Sequence, residues 1–275
     1  MKIIRFFLLL FLAMLLAGAG PAPAADDALA PFRDEQGTLK IAGGTAHIPV
    51  MKAAAREIRR VNPRIRITIA GGGSGVGIKQ VGEGLVDIGN SGRRPTAAEI
   101  EKYHLRLFKW AVDGVAVVVN PANPVRSLSR AQLRDIYAGR LTNWRQLGWR
   151  DLPIDLYTRD QASGTRAVFW KKGLAKGEIS PRANFVVANG AMKSAVATDP
   201  GAIGYLSVGY LDRTVAPVAI DGAAPSREGR YRISRGLYSN TRGEPRGLTK
   251  KFINYLFSPA GQQLIAEAGF IPVAR

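Results

Sequence analysis

Along the chain, short aliphatic or β-branched runs alternate with segments whose apolar positions recur at helical spacing, and glycine-rich turns separate the two. Leu39–Ala42 reads as a strand ending in Gly43-Gly44-Thr45, and Ile48 to Val61 follows as a helix. Asn62-Pro63 stops that helix, because proline lacks an N–H and restricts the residue before it. Ile65, Ile67 and Ile69 alternate with Arg66 and Thr68, the period-two pattern of a strand. The turn Gly71–Gly75 leads to a helix over Ile78–Leu85, a strand over Val86–Gly89 and a helix over Thr96–Tyr103. Val115–Asn120 (VAVVVN) is a continuous apolar run, as expected of a strand buried on both faces. Beyond it the spacing predicts helix 129–138, a turn at Thr142-Asn143-Trp144, strand 154–158, helix 164–173, strand 184–187, helix 190–198 and strand 202–206. A polar loop over 221–230 precedes two closing helices, 247–257 and 259–268. This recurring order of strand, glycine turn and helix is that of βαβ units in a parallel sheet.

The first residues follow a different pattern. Lys2 and Arg5 precede the apolar run Phe6 to Leu16, and Ala22-Pro23-Ala24 fits a small-x-small cleavage site. That layout predicts a cleavable secretory signal peptide over residues 1–25. The run falls short of the roughly 20 apolar residues that a spanning helix needs. The mature protein is therefore expected to be exported, to start near Ala25 or Asp26, and, with no Cys, to carry no lipid. Residues 26–37 read as a polar, mobile leader.

Composition narrows the chemistry. A chain of 275 residues corresponds to one large domain or two lobes, enough to bury a core without disulfides or metals. The absence of Cys excludes disulfide frameworks, thiolate zinc sites, iron–sulfur clusters and thiol catalysis. His47 and His104 are too few for a multi-histidine metal site or relay, and both read as surface or capping residues. No metal or other cofactor is expected. The formal charge of +18, from 39 basic and 21 acidic residues, implies attraction to anions. Lys and Arg are scattered rather than clustered, and RNP-like aromatic motifs and Cys/His fingers are absent, so nucleic acid is not the expected partner.

Three predicted strand-to-helix corners carry small hydroxyl residues: Gly43-Gly44-Thr45, Gly71-Gly72-Gly73-Ser74-Gly75, and Ala162-Ser163-Gly164-Thr165 after Arg159. The first N–H groups of a helix have no partner within it, and the helix dipole places partial positive charge there. Glycine lets backbone approach an anion closely, and hydroxyls add donors. One such corner alone is an ordinary N-cap. Three converging on one point would form an oxyanion site to which Arg159 adds a forked, charge-assisted contact. Competing motifs fail: Gly77-Ile78-Lys79-Gln80 breaks a phosphate-binding Walker loop, and G-x-G-x-x-G is missing from residues 71–77. None of Ser74, Ser91 and Ser163 sits in G-x-S-x-G.

The chain resembles the periplasmic phosphate-binding proteins of ABC transporters over nearly all of residues 38–274. The segments that carry the resemblance include IAGGTAHIPV (41–50), GGGSGVGIKQV (71–81), VDIGNSGRRP (86–95), YTRDQASGTR (157–166), NGAMKSAVATDPGAIGYLS (189–207) and SRGLYSNTRGEP (234–245). The resemblance implies a two-lobed α/β fold of the type 2 periplasmic-binding-protein class. Each lobe would be a mainly parallel sheet flanked by helices, with the ligand in the cleft between them. Residues 38–113 plus 231–275 would form lobe one and 114–230 lobe two. It also implies a non-enzymatic, monomeric periplasmic protein that captures inorganic phosphate and delivers it to a membrane ABC permease.

By the same resemblance, Thr45, Ala46, Ser74 and Gly75 would bind phosphate from lobe one, and Arg159, Ser163, Gly164 and Thr165 from lobe two. Ser91 and Arg93 match a Ser-and-Arg pattern of some relatives. Others place an Asp where this chain has Gly92, as an acceptor for a phosphate proton. Asp113 and Asp160 are candidates to orient Arg159. The missing Asp leaves sulfate or molybdate as alternative ligands. An exported phosphate-ester hydrolase is a further alternative, although no nucleophile-and-base set is visible.

Overall fold

The computed structural model describes residues 27–225 and 231–275. The signal peptide expected over 1–25, and part of the polar loop over 221–230, lie outside the described residues.

In chain order, a 3-10 turn (Asp27–Phe32) precedes β1 (Gly37–Gly43), α1 (Ile48–Val61), β2 (Ile65–Gly72), α2 (Gly73–Gly82), β3 (Ile88–Ser91) and α3 (Ala97–Tyr103). A strand of 15 residues follows, β4 (Leu105–Val119). Then come β5 (Ser127–Leu128), α4 (Arg130–Tyr137), β6 (Asp155–Arg159), α5 (Gly164–Val168), β7 (Asn184–Val186), α6 (Asn189–Thr198), β8 (Ala202–Ser207) and β9 (Ala216–Ile220). The chain closes with β10 (Ser234–Arg242), α7 (Gly247–Phe257), α8 (Pro259–Glu267) and β11 (Ile271–Pro272).

Hydrophobic residues gather in separate cores. One joins Leu39 and Ile41 of β1, Val50 and Ile58 of α1, Trp110 of β4 and Phe252 of α7. A second joins Val117 and Val119 of β4, Ile136 of α4, Phe169 and Tyr205. A third lies on the opposite face of the same strand, with Ala116 and Val118 against Met192 and Val196 of α6. Odd and even residues of β4 thus face different helices, which explains its unbroken apolar run. Fully burying each such valine is worth about 1.5–3 kcal/mol.

β4 passes from the first core, at Trp110 and Ala111, into the second, at Val115. The chain returns between Ile233 in the second core and Leu237 in the first. Two chain crossings therefore join two lobes, and the first runs through the interior of a single strand. The sheet order is β2-β1-β3-β10-β4-β8-β6-β7. β1 lies parallel to β2 and β3, and β6 parallel to β7 and β8. The crossing strands run antiparallel: β10 with β3 and β4, and β4 with β8 and β9. The sheet is accordingly mixed, because the segments that return between lobes reverse direction.

Residues 27–37 are not a free leader. Leu29 and Phe32 are buried in the first core, and the Phe32 ring meets that of Tyr255 edge-on at 6.0 Å. The Asn62 side-chain amide fastens the turn by donating to the Phe32 carbonyl at 2.8 Å and to that of Arg33 at 3.0 Å. α2 starts at Gly73, ahead of the helix expected over 78–85, since Gly72 (φ +113°) and Gly73 (φ +88°) turn the chain directly into it. The helix lies so close to β1 and β3 that a Cβ on Gly77 would stand 2.8 Å from Gly43 Cα.

Candidate functional site

The three corners meet. A nearly closed cleft of about 10 Å3 between the lobes is lined by Thr45 and Ala46 after β1, and by Gly73 and Ser74 at the start of α2. Arg159 at the end of β6, and Ser163, Gly164 and Thr165 at the start of α5, line it from the other lobe. That space is on the scale of a single water, so the two walls are closed on each other. The walls are in contact: Gly75 N–H donates across to the Ala162 carbonyl at 3.1 Å. A Cβ on Gly73 would stand 2.7 Å from that same carbonyl oxygen.

The hydroxyls are oriented by what they accept. Thr45 Oγ1 accepts from the Asn189 amide at 3.3 Å and from Asn189 Nδ2 at 2.9 Å. Ser74 Oγ accepts from Gly92 N–H at 2.9 Å, and Ser163 Oγ from Arg166 N–H at 3.2 Å. A hydroxyl that accepts from the protein in this way has its proton left to donate.

Arg159 is 1% exposed. Its backbone N–H donates to the Tyr205 hydroxyl at 3.1 Å, and Nη2 donates to the Val187 carbonyl at 2.9 Å. Nε and Nη1 are buried without a hydrogen-bond partner in the protein. Burial lowers the Arg159 pKa, and the neighbouring Asp160 opposes this; an arginine keeps its charge under such conditions. A buried cation with unpaired donors is costly unless an anion completes it. Burial also pushes Tyr205 and Tyr210 up to about 12, so both stay neutral.

Three of the sequence candidates do not line the cleft. Gly75 spends its N–H on Ala162, as above. Ser91 is buried behind the wall and its Oγ accepts from Asn240 Nδ2 at 2.9 Å. Arg93 turns away to hold Glu99, with both guanidinium contacts at 2.7 Å. That fork, the main cause, keeps the Glu99 pKa down at about 2. Asp113 does not reach Arg159; it pairs with Arg235.

Two residues differ from their sequence reading or escaped it. Arg235, on β10, lines the cleft opposite Arg159 and is absent from the sequence candidates. Its segment SRGLYSN carries no strand period, and only the pairing of β10 with β4, which sets Arg235 beside Asp113, brings it to the site. His47 is fully buried rather than on the surface. Its Nδ1 lies 3.0 Å from the Gly44 carbonyl and its ring meets Trp110 edge-on. Burial, with the Arg235 charge second, lowers its pKa to about 3. Among the described residues no group of three or more His, Asp or Glu is placed to hold a metal ion, and no helix is long and apolar enough to cross a membrane.

Comparison with known proteins agrees with this geometry. Residues 30–260 match the family model of the PBP superfamily domain. The phosphate-binding protein PstS of Bacillus subtilis is 36% identical over 283 residues, covering 99% of this chain and 94% of that one. A Clostridium perfringens chain, assigned as a phosphate ABC transporter substrate-binding protein and solved with bound phosphate, superposes with a TM-score of 0.80 at 33% identity. It is covered completely (100%) and accounts for 86% of this chain. An ABC-type phosphate transport receptor from Vibrio cholerae gives a TM-score of 0.67 at 33% identity, over 85% of this chain and 99% of that one. With this identity over almost its whole length and a shared two-lobed α/β fold of the type 2 class, the chain belongs to the PstS family of phosphate-binding proteins within the PBP superfamily.

Proposed function

We propose that this protein captures inorganic phosphate between its two lobes and hands it to a membrane ABC permease, as a binding protein and not an enzyme. The observation that carries this reading is Arg159, buried with Nε and Nη1 unpaired in a cleft whose other side chains are hydroxyls and a second arginine. An oxyanion supplies the missing partners, and hinge motion at the two crossings opens and closes the site. We place the division between the two moving bodies inside β4, between Ala111 and Val115, and on the return between Ile233 and Leu237, where β10 pairs with β4.

Phosphate contacts are assigned to Thr45, Ser74, Ser163 and Thr165 through their hydroxyls. Ala46 and Gly164 serve through their backbone N–H groups, and Arg159 through its guanidinium. A hydrolytic reading is disfavoured by His47, the imidazole nearest the cleft: it is neutral, buried and engaged with Gly44. Export by the N-terminal signal, with release into the periplasm as an unlipidated monomer, completes the proposal.

A thermal-shift screen of the mature protein with phosphate, phosphonate, sulfate and molybdate tests it. The expected result is a clear rise in Tm with phosphate. No shift with any of these anions would reject the reading.

A further inference from the structure

Ligand selection by this cleft depends on how its acceptors are spent. Among the described residues that line it there is no carboxylate. The Thr45, Ser74 and Ser163 hydroxyls already accept bonds from the protein. The carbonyls beside them are engaged too. Gly44 O accepts from His47 N–H, Thr45 O from the Tyr210 hydroxyl at 2.8 Å, and Ala162 O from Gly75 N–H. The groups left to a ligand are mainly donors, and the acceptors that remain, such as the Thr165 hydroxyl, are neutral.

Arg235 adds a second cation. It is 7% exposed, and Asp113 holds it from behind, with Nε and Nη2 both 2.8 Å from Oδ2. Asp113 is itself fixed by the Ser207 hydroxyl, which donates to Oδ1 at 2.8 Å. Nη1, which makes no contact with that carboxylate, lies against Gly92: a Cβ there would stand 2.7 Å from Nη1 and 2.9 Å from Cζ. Glycine at 92 and the guanidinium of Arg235 therefore fit together, and any side chain at 92 would compete for the space the arginine fills.

We propose that Arg235, oriented by Asp113 and admitted by Gly92, is a ligand-binding and specificity-determining residue that makes this a donor-dominated site, without a carboxylate, for tetrahedral dianions. It would contact one ligand oxygen while Arg159 contacts another, in forked charge-assisted geometry. A protonated oxygen on the ligand would meet mainly donors and find only a neutral acceptor, a weaker partner than a carboxylate. The site thus takes the dianion of phosphate over the monoanion. It also lacks the buried acceptor that would penalise a ligand carrying no proton, so sulfate enters as an isostere. This inference rests on the reading of the cleft as a phosphate site.

The groups facing the two arginines leave the ligand as the species that titrates. His47 packs near Arg235 and is neutral, its pKa lowered to about 3. Tyr205 and Tyr210 near Arg159 are held up at about 12. Burial raises the pKa of Asp113, while Arg235 and Ser207 favour its charged form. Asp160 and Arg159 act on each other as opposite charges.

Calorimetric titration of the full mature protein with phosphate and with sulfate at pH 6 and pH 8, repeated on Arg235→Gln, is the test. Phosphate affinity should rise about tenfold between the two pH values, following the dianion fraction, because apparent affinity scales with the competent population. Sulfate affinity should not change, and Arg235→Gln should weaken both anions at least tenfold. Equal phosphate affinity at pH 6 and pH 8, or a folded Arg235→Gln with unchanged affinity, would overturn the donor-dominated site and leave the phosphate function standing. Binding of sulfate without phosphate would do the reverse, and binding of neither would overturn both. If Arg235→Gln does not fold, Gly92→Ala displaces the guanidinium without removing a charge and should give the same weakening; the wild-type pH comparison needs no variant.

Discussion

The Thr45 hydroxyl, on one wall of the cleft, accepts two bonds from Asn189 on the other, at 3.3 Å from the backbone N–H and 2.9 Å from Nδ2. The Asn189 side chain is completed by its Oδ1, which accepts from Ser207 N–H at 3.0 Å. Tyr210 adds a third link by donating to the Thr45 carbonyl. Thr45 is thus a joint between the lobes, and in the proposed phosphate site, where it would also donate to the ligand, closure and ligand orientation would be coupled.

Asn189→Ala removes this joint and frees the Thr45 hydroxyl to rotate. Phosphate affinity should fall about tenfold, and folded stability by about 1–3 kcal/mol, since buried partners lose their bonds. Calorimetry paired with a thermal melt checks both; unchanged affinity would show that the joint is incidental to binding.

Gly164 packs against Ser74 across the cleft. A Cβ there would overlap the Ser74 hydroxyl across the cleft. Gly164→Ala should therefore hold the lobes apart and weaken phosphate binding by about 100-fold, the scale on which small misplacements act. Its thermal midpoint without ligand should fall no further than that of Asn189→Ala, because parting the walls breaks the same Thr45 joint and leaves both cores intact. A larger loss of Tm would mean that the clash is felt in folding instead.

His47 makes the fold sensitive to acid. Its folded pKa is lowered from 6.5 to about 3 by burial, so below pH 6.5 the unfolded chain binds a proton that the folded chain refuses. Stability should decline as pH falls from 6.5 towards 3, by an amount of order a few kcal/mol. Thermal melts at pH 7, 5 and 4 should show a steeper loss for wild type than for His47→Gln, whose amide carries no charge. Parallel curves would contradict this assignment.

Much of the architecture was legible because its signals are local. Helix 48–61 was bounded by Asn62-Pro63, and the strand at Val115 by its apolar run. The three hydroxyl-bearing corners were visible for the same reason, since glycine next to Ser or Thr marks a turn wherever it occurs. What escaped depends on pairing. Strand β10 alternates poorly, and Arg235 reaches the cleft only through its register with Asp113. The 27–37 segment carries no helix or strand period, with only Leu29 and Phe32 as large apolar residues, and their pocket is built by α1 and α7. Arg93 looked like a ligand by position; Glu99, six residues on, takes its guanidinium.

Arg93→Gln separates those two roles. The Arg93–Glu99 pair is partly exposed and worth at most about 1 kcal/mol. Phosphate affinity should stay within about twofold of wild type, with a small drop in Tm. A tenfold loss of affinity would return Arg93 to the site.

Isothermal calorimetry of phosphate against wild type and Arg159→Ala is the most direct measurement. Wild type should bind one phosphate per chain with micromolar or tighter affinity, and Arg159→Ala should bind at least tenfold more weakly, a loss of about 1.4 kcal/mol or more. Absence of heat with wild type, or equal affinity for the two proteins, would contradict a cleft organised around one oxyanion.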